Sequence, residues 1–371
     1  MMSQKQFEHA IIVGGSLGGL MMGLALSRSG YTVTILERAD SSLRNGAFIR
    51  LHTKPYRNSE IERELRHLAS NGNNNVEAWS AIQERLRNAV AKEPGITLQH
   101  HTRIVSVGQN ESSAWATSEE EQTFKGDFLI GADGYRSIVR RYLSPDKPFA
   151  DYAGYLVWVG KVDEELLPKK DWKKRKLSSA YFNNSAAGTL TTAVMPGIKG
   201  GTHPGQRWIG FCWFDHSHNP LLSELGVLKD GVAQHSLYGE AIPDSLLEEL
   251  SQTSQANWTK EDDAILQIAI KDRSLIGAPV NEYIPNILSK GRIAMIGDAA
   301  HTMSPMTGAG FNDSLDDTVA IIDSLKQYPN SITKALSEYQ TRRLDVVRQD
   351  VLAGQGFNRS FGRCNSMKLS H

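Results

Sequence analysis

Three times in this chain an apolar run ends in a glycine turn that leads toward a helix: residues 10–13 into Gly14–Gly19, residues 128–130 into Gly131–Gly134, and residues 293–296 into Gly297 and then Gly308–Gly310. A short apolar run bounded by glycine reads as a strand buried on both faces, and such strands belong to a parallel sheet flanked by helices. An α/β fold follows. In open sheets of this kind, ligands sit where the chain leaves the carboxyl ends of the strands.

The first turn reads Gly14-Gly15-Ser16-Leu17-Gly18-Gly19 between an expected strand at 10–13 and a helix at 17–29, with a second strand at 31–36 and Glu37 at its end. Gly14 permits a tight turn and Gly19 close packing of the helix. The helix N-terminus faces a pyrophosphate, and an acid at the second strand's end accepts ribose hydroxyls. Ser16 replaces the pattern's second glycine and is small enough to let a phosphate approach.

The second turn is Gly131-Ala132-Asp133-Gly134, followed by Ser137 and Arg140. Asp133 reads either as a cap for the next helix, through Ser137 and nearby amides, or as a ligand group. Arg140 is expected to pair with Asp133 or to reach a phosphate. The third holds Asp298 at a strand end, His301 and Pro305, then Gly308-Ala309-Gly310-Phe311-Asn312 opening a helix. A carboxylate there suits a polar cofactor chain, and the amides suit an anionic edge. His301 reads as a packed turn residue.

The remaining organisation is mixed. Helical spacing joins Ile61, Leu65 and Leu68, and again Val76, Trp79, Ile82 and Leu86, with 71–75 as the breaker. Short strands fill 96–124. Strands at 155–162, 188–195 and 207–215 then mark a β-rich insertion between about 152 and 283, with helices near 220–228 and 243–252. Helices at 311–325 and 332–353 close the chain, and the tail after Gly354 is expected to fray. The expected units are 1–151 and 284–371 as one nucleotide-binding domain in two parts, and 152–283 as a substrate domain.

With 41 basic and 41 acidic residues, the chain has no global field to draw nucleic acid or an anionic membrane. The two cysteines, Cys212 and Cys364, make neither a disulfide framework nor a metal site and suit a reducing, cytoplasmic compartment. The glycine-rich stretch 10–26 lacks a basic flank, so neither a signal peptide nor a membrane span is expected.

The order of these motifs resembles the flavin-dependent aromatic hydroxylases of the para-hydroxybenzoate and salicylate hydroxylase type, over about residues 10–350. Within them, Tyr152-Ala153-Gly154-Tyr155, Trp158, Gly160 and Met195-Pro196-Gly197 look most like the 2,6-dihydroxypyridine 3-hydroxylase branch. The resemblance implies a Rossmann-like FAD-binding domain, an inserted sheet-rich substrate domain and C-terminal helices. It implies FAD as cofactor and NADH or NADPH as co-substrate. It also implies O₂, a flavin C4a-hydroperoxide, and a small aromatic or N-heteroaromatic substrate hydroxylated by a monomer or homodimer.

Carried over by position, the cofactor-binding residues are Gly14, Ser16, Leu17 and Gly19 at the pyrophosphate, Glu37 and Arg38 at the ribose, Ile104 at the adenine and Asp133 at the middle motif. Asp298 serves the ribityl chain, and Gly308, Ala309, Gly310, Phe311 and Asn312 the pyrimidine edge. Pro305 lies beside the ring. Two departures stand out: Phe48 occupies an expected glycine position, and no arginine matches near 80–83, with 51–79 shortened.

No protein nucleophile or metal cluster is apparent, so the cofactor carries the chemistry. His52, His216 and His235 are candidate bases, each against a structural histidine. Trp158 and any single aromatic of 207–215 read as core, and the basic run 169–176 as a solvated loop or a phosphate dock. A catalytically degenerate flavin-binding protein and a flavin oxidase or dehydrogenase are the rival readings.

Overall fold

The structure, a computed structural model, describes residues 8–42, 46–51, 59–70, 75–172 and 174–366, with side chains to residue 356. His52, the stretch 71–74 and Lys173 lie outside them, as does the Cys364 side chain.

A six-stranded sheet runs in the order Ser289–Lys290, Ile293–Met295, Phe128–Gly131, His9–Val13, Thr32–Leu36, Ile96–Gln99. Every neighbouring pair is parallel except the hairpin at Ser289–Lys290. Residues 10–13 and 128–131 are all buried, as continuous apolar runs require. Register brings Val13 opposite both Leu36 and Gly131, and Gly131 opposite Met295. The three glycine turns therefore leave one sheet edge at one level, side by side.

Helix α1 (Leu17–Arg28) packs on this sheet. A Cβ on Gly23 would lie 2.7 Å from Ile35 Cδ1, so a larger residue there would require the Ile35 side chain to shift. Helices α2 (Glu60–Ser70) and α3 (Trp79–Ala91) follow, with the short α4 (Ile138–Leu143) after the second turn. Val76 is not helical. It joins the strand Val76–Ala78, which pairs with Phe48–Arg50, a long-range partner that outweighs its helical spacing with Trp79.

From Asp151 to Glu282 the chain builds a six-stranded antiparallel sheet. On Arg207–Asp215, Ile209, Phe211 and Trp213 join a buried apolar cluster with Leu246, Leu250 and Ile265, from helices α6 (Asp244–Asn257) and α7 (Lys260–Lys271). The short helix α5 (Asn219–Glu224) lies between that strand and α6. Helix α7 has no counterpart in the expected elements. Trp158 is fully buried in the same cluster, its Nε1 donating to Asp215 at 3.0 Å. Cys212 and Phe214 face the other way.

The chain then returns to the first sheet and ends in α8 (Gly310–Gln327) and α9 (Ile332–Ser366). Rather than fraying at Gly354, α9 continues to Ser366.

Candidate active site

A cavity of about 950 Å³ opens between the sheets. All three glycine turns contribute to its wall: Ser16, Leu17 and Gly18 from the first, Ala132 and Gly134 from the second, and Gly297 and Asp298 from the third. A cavity of this size lies at the upper end of ordinary ligand pockets and can take a cofactor ring and a substrate together.

At the first turn, Gly14 adopts φ +107°, and a Cβ there would sit 2.3 Å from the Ala132 carbonyl oxygen. A Cβ on Gly19 would meet the Gly14 carbonyl oxygen at 1.9 Å. Side chains are excluded at both positions. Ser16 precedes α1 without a side-chain cap, so first-turn amides of a twelve-residue helix are left for a ligand at the cavity wall. Glu37 lies outside the wall. Its carboxylate accepts from Gly15 N and Ala39 N, each at 2.8 Å, so it braces the loop from behind. Arg38 beside it is exposed, and Thr102 N donates to Glu37 O at 2.9 Å, which carries buried Ile104 past the same corner.

At the second turn Asp133 makes the bonds of a helix cap. Its carboxylate accepts from Ser137 Oγ and Ile138 N, both at 2.6 Å, at the start of α4. Burial pushes this carboxyl up, against those hydrogen bonds. Gly134, at φ +79°, would have nothing within 4 Å of a Cβ. Arg140 departs from expectation: it neither pairs with the Asp133 carboxylate nor reaches open space. Fully buried, it donates to the carbonyls of Tyr135, Pro148, Asp298 and Ala299 and lies 4.5 Å over the Tyr283 ring. It staples the second turn to the third, because four carbonyls converging on one site satisfy a guanidinium without a counter-ion.

The Asp298 side chain is exposed to the cavity, and among the described residues no group donates a hydrogen bond to its carboxylate. Enclosure by the cleft raises its pKa, countered by His301 and Arg140. Pro305, Met306 and Gly308 continue the wall. Cβ atoms on Gly308 or Gly310 would meet nothing within 4 Å, leaving an open cradle ahead of α8, whose N-terminus has no side-chain cap. Phe311 lines the cavity. Ala309 and Asn312 stand behind it, with the Asn312 amide accepting from Arg66 Nη1 at 2.9 Å.

Beneath this turn lies a buried ionic network that sequence reasoning missed. His301 Nε2 meets Asp317 Oδ2 at 2.5 Å, Gly297 N donates to the same oxygen at 3.0 Å, and Arg343 Nε donates to Oδ1 at 2.8 Å. Burial alone would raise Asp317, but the His301 and Arg343 charges hold it at about 2. Burial likewise opposes charging His301, and Asp317 overrides it. The packed-histidine reading was therefore sound, with an ionic reason.

Neighbouring Asp316 goes the other way. Burial, helped by Asp313 and opposed by Arg343 and Arg66, lifts it to about 6. Its folded pKa exceeds the usual 3.8, so above pH 6 the folded state carries a disfavoured carboxylate, a cost absent below about pH 4. Asp316→Asn is expected to stabilise the protein by about 2 kcal/mol at pH 8 and negligibly at pH 4. Thermal melts at both values check this, and equal shifts would contradict it.

The inserted sheet supplies the opposite wall through Val159, Thr189, Thr191, Cys212 and Phe214. Tyr155 Oη bonds Ser304 Oγ at 2.6 Å, tying this sheet to the third turn. Phe48, where the resemblance expects glycine, lines the cavity and packs with Val76, Ala78, Ala193 and Met195. Neither His216 nor His235 reaches the wall. The basic run docks on α7, with Lys174 meeting Glu261 and Arg175 meeting Asp262. Among the described residues no cluster suits a metal ion, and no helix is long and apolar enough to cross a membrane.

Residues 67–202 and 248–353 match the family model described as FAD binding domain, and 152–258 one described as FAD binding domain-like. The chain is 27% identical to the Aurachin C monooxygenase/isomerase of Stigmatella aurantiaca, over 93% of this chain and 87% of that protein. It is 25% identical to the 3-hydroxybenzoate 6-hydroxylase of Polaromonas naphthalenivorans, over 95% and 87%. Among solved structures, 2,6-dihydroxypyridine-3-hydroxylase from Arthrobacter nicotinovorans superposes with a TM-score of 0.76 at 19% identity, covering 95% of this chain and 91% of that one. Klebsiella pneumoniae HpxO, complexed with FAD and uric acid, gives 0.64 at 21%, covering 96% and 89%. At such identities the superpositions speak to fold.

Proposed function

The chain belongs to the FAD binding domain family, and from that premise we propose that it is an FAD-dependent monooxygenase using NADH or NADPH and O₂ to hydroxylate an electron-rich aromatic or heteroaromatic substrate. One observation carries the reading: three turns aligned on a sheet edge open, with the uncapped starts of α1 and α8, into a single cavity roofed by a second sheet. The named hydroxylase relatives support it. We assign 1–151 and 284–371 to the cofactor and 152–283 to the substrate, in a cytoplasmic monomer or homodimer.

The residues fit the cofactor. Ser16 and Leu17 present helix-start amides to the pyrophosphate, and Gly14 and Gly19 keep the backbone close enough for them to do so. Glu37, Arg38 and Ile104 share the corner behind the first turn, and would hold the ribose and adenine, with Glu37 already bonded to Gly15 N and Ala39 N. Asp133 holds α4 in place behind the middle turn. Asp298, whose carboxylate takes no hydrogen bond from the described residues, would accept from ribityl hydroxyls. Gly308, Gly310 and Phe311, backed by Ala309 and Asn312, would form the cradle for the pyrimidine edge, and Pro305 on the same wall would lie beside the ring. When bound, FAD supplies the passage of electrons from the nicotinamide to O₂ and the delivery of one oxygen atom to the substrate. The positive end of α8 lowers the cost of negative charge beside it. The inserted sheet, through Val159 and Phe214, and Phe48 from the strand beside it exclude water.

The FAD-loaded protein is expected to oxidise NAD(P)H faster when given an aromatic substrate, and ¹⁸O₂ to leave one labelled atom in each product molecule. Product without label, with stoichiometric peroxide, would indicate an oxidase instead.

A further inference from the structure

The two sides of the cavity differ in charge. Asp298, on the third turn, and the exposed Arg50, on the strand Phe48–Arg50 that meets the inserted sheet through Phe48, Ala193 and Met195, are the charged residues among the described lining. On the inserted sheet the wall is Val159, Asn184, Thr189, Thr191, Cys212 and Phe214, every one uncharged. Burial pushes the Cys212 thiol up to about 12, so it stays protonated at physiological pH.

The charges this sheet carries are occupied elsewhere. Asp215 accepts from Trp158 Nε1 and Ser217 and meets His218. Arg175 pairs with Asp262, Arg207 with Glu164, and Lys161 lies 4.9 Å over the Trp208 ring. None belongs to the wall. A carboxylate placed against this wall loses its water and gains no counter-ion from the described residues of the inserted sheet, whereas hydroxyl, carbonyl or ring-nitrogen groups find partners of their own kind in Thr191, which stands opposite Cys212 in register, and in the Asn184–Thr189 pair, joined at 2.7 Å.

Resting on the hydroxylase reading, we propose that the substrate is an uncharged hydroxylated aromatic or N-heteroaromatic, and that the inserted sheet selects it by excluding carboxylated analogues.

The test uses FAD-loaded protein and matched pairs, 4-hydroxybenzamide with 4-hydroxybenzoate and 4-hydroxyquinoline with its 2-carboxylate, titrated by perturbation of the flavin absorbance. At pH 8 the neutral member is expected to bind at least about tenfold tighter. Between pH 8 and pH 6 the acid's apparent affinity should rise, as its protonated fraction does, while that of the neutral partner stays flat. Asn184→Lys, at an exposed position on the rim strand, should narrow the gap about tenfold, tying the preference to this wall. Tighter binding of the carboxylates at pH 8 overturns the inference, and its loss in Arg50→Gln would identify Arg50 as their anchor. If perturbation and NAD(P)H oxidation occur with carboxylates preferred, the hydroxylase reading stands and only the neutral substrate class falls. If no aromatic perturbs a firmly bound flavin, the hydroxylase reading fails and takes this inference with it.

Discussion

Replacing Asp317 with alanine is expected to cost about 3–5 kcal/mol of folding stability, the penalty for stranding a buried charge. The carboxylate is fully buried and joins His301, Arg343 and the Gly297 amide at one point. Without it, the Arg343 guanidinium remains cationic in the interior, His301 loses the partner that keeps it charged against burial, and the Gly297 N–H loses its acceptor. Gly297 begins the turn that carries Asp298, so the cofactor site loosens with the core. Urea unfolding of the apoprotein measures the loss, and Asp317→Ala with Arg343→Met should recover part of it by removing the stranded guanidinium. A loss below about 1 kcal/mol in the single variant would mean that the network does not support the turn. The sign of the pH dependence is set as well. A carboxyl depressed from 3.8 to about 2 contributes its stability in full above about pH 4 and loses it as pH falls through 2. Acid unfolding of the wild type should therefore extend into that window, and Asp317→Asn should remove this component.

What could be read in the chain beforehand was local. A glycine that must adopt positive φ, as Gly14 and Gly134 do, leaves its mark within four residues, and so does an apolar strand. Asp133 and Ser137 are four apart, and their bond forms as that spacing suggests. Along 207–215 Ile209, Phe211 and Trp213 take the helix-covered face as the core reading expects, whereas Phe214, on the other face, lines the cavity.

What could not be read joins distant segments. Arg140 reaches carbonyls of Asp298 and Ala299, more than 150 positions away, and no motif marks a guanidinium satisfied by backbone alone. Arg343 sits in a long helix with ordinary polar spacing, and only the fold reveals that it meets Asp317. Arg66 touches Asn312 across 246 positions, with only its charge to single it out. Val76 followed its helical spacing on paper and its pairing with Arg50 in space. At Val76 the tertiary contact overrides a local preference worth a few tenths of a kcal/mol.

Two carboxylates that looked alike in sequence, Asp133 and Asp298, should part in experiment. Asp298→Ala is expected to weaken FAD binding about 100-fold, equivalent to about 2.7 kcal/mol and within the range for hydrogen bonds to a charged acceptor. The apoprotein should keep or slightly gain stability, because an enclosed carboxylate without a protein donor stabilises nothing until a ligand arrives. Asp133→Ala should do the reverse. It removes the group that caps α4, costing about 1–2 kcal/mol of apoprotein stability, and it affects the cofactor only through the turn it supports. Quenching of FAD fluorescence gives both dissociation constants, and melting of the two apoproteins gives the stabilities. An Asp298→Ala protein that binds FAD like the wild type would take the ribityl chain away from this residue. An Asp133→Ala protein that melts normally yet releases FAD would make Asp133 the ligand group and leave the α4 cap without energetic weight.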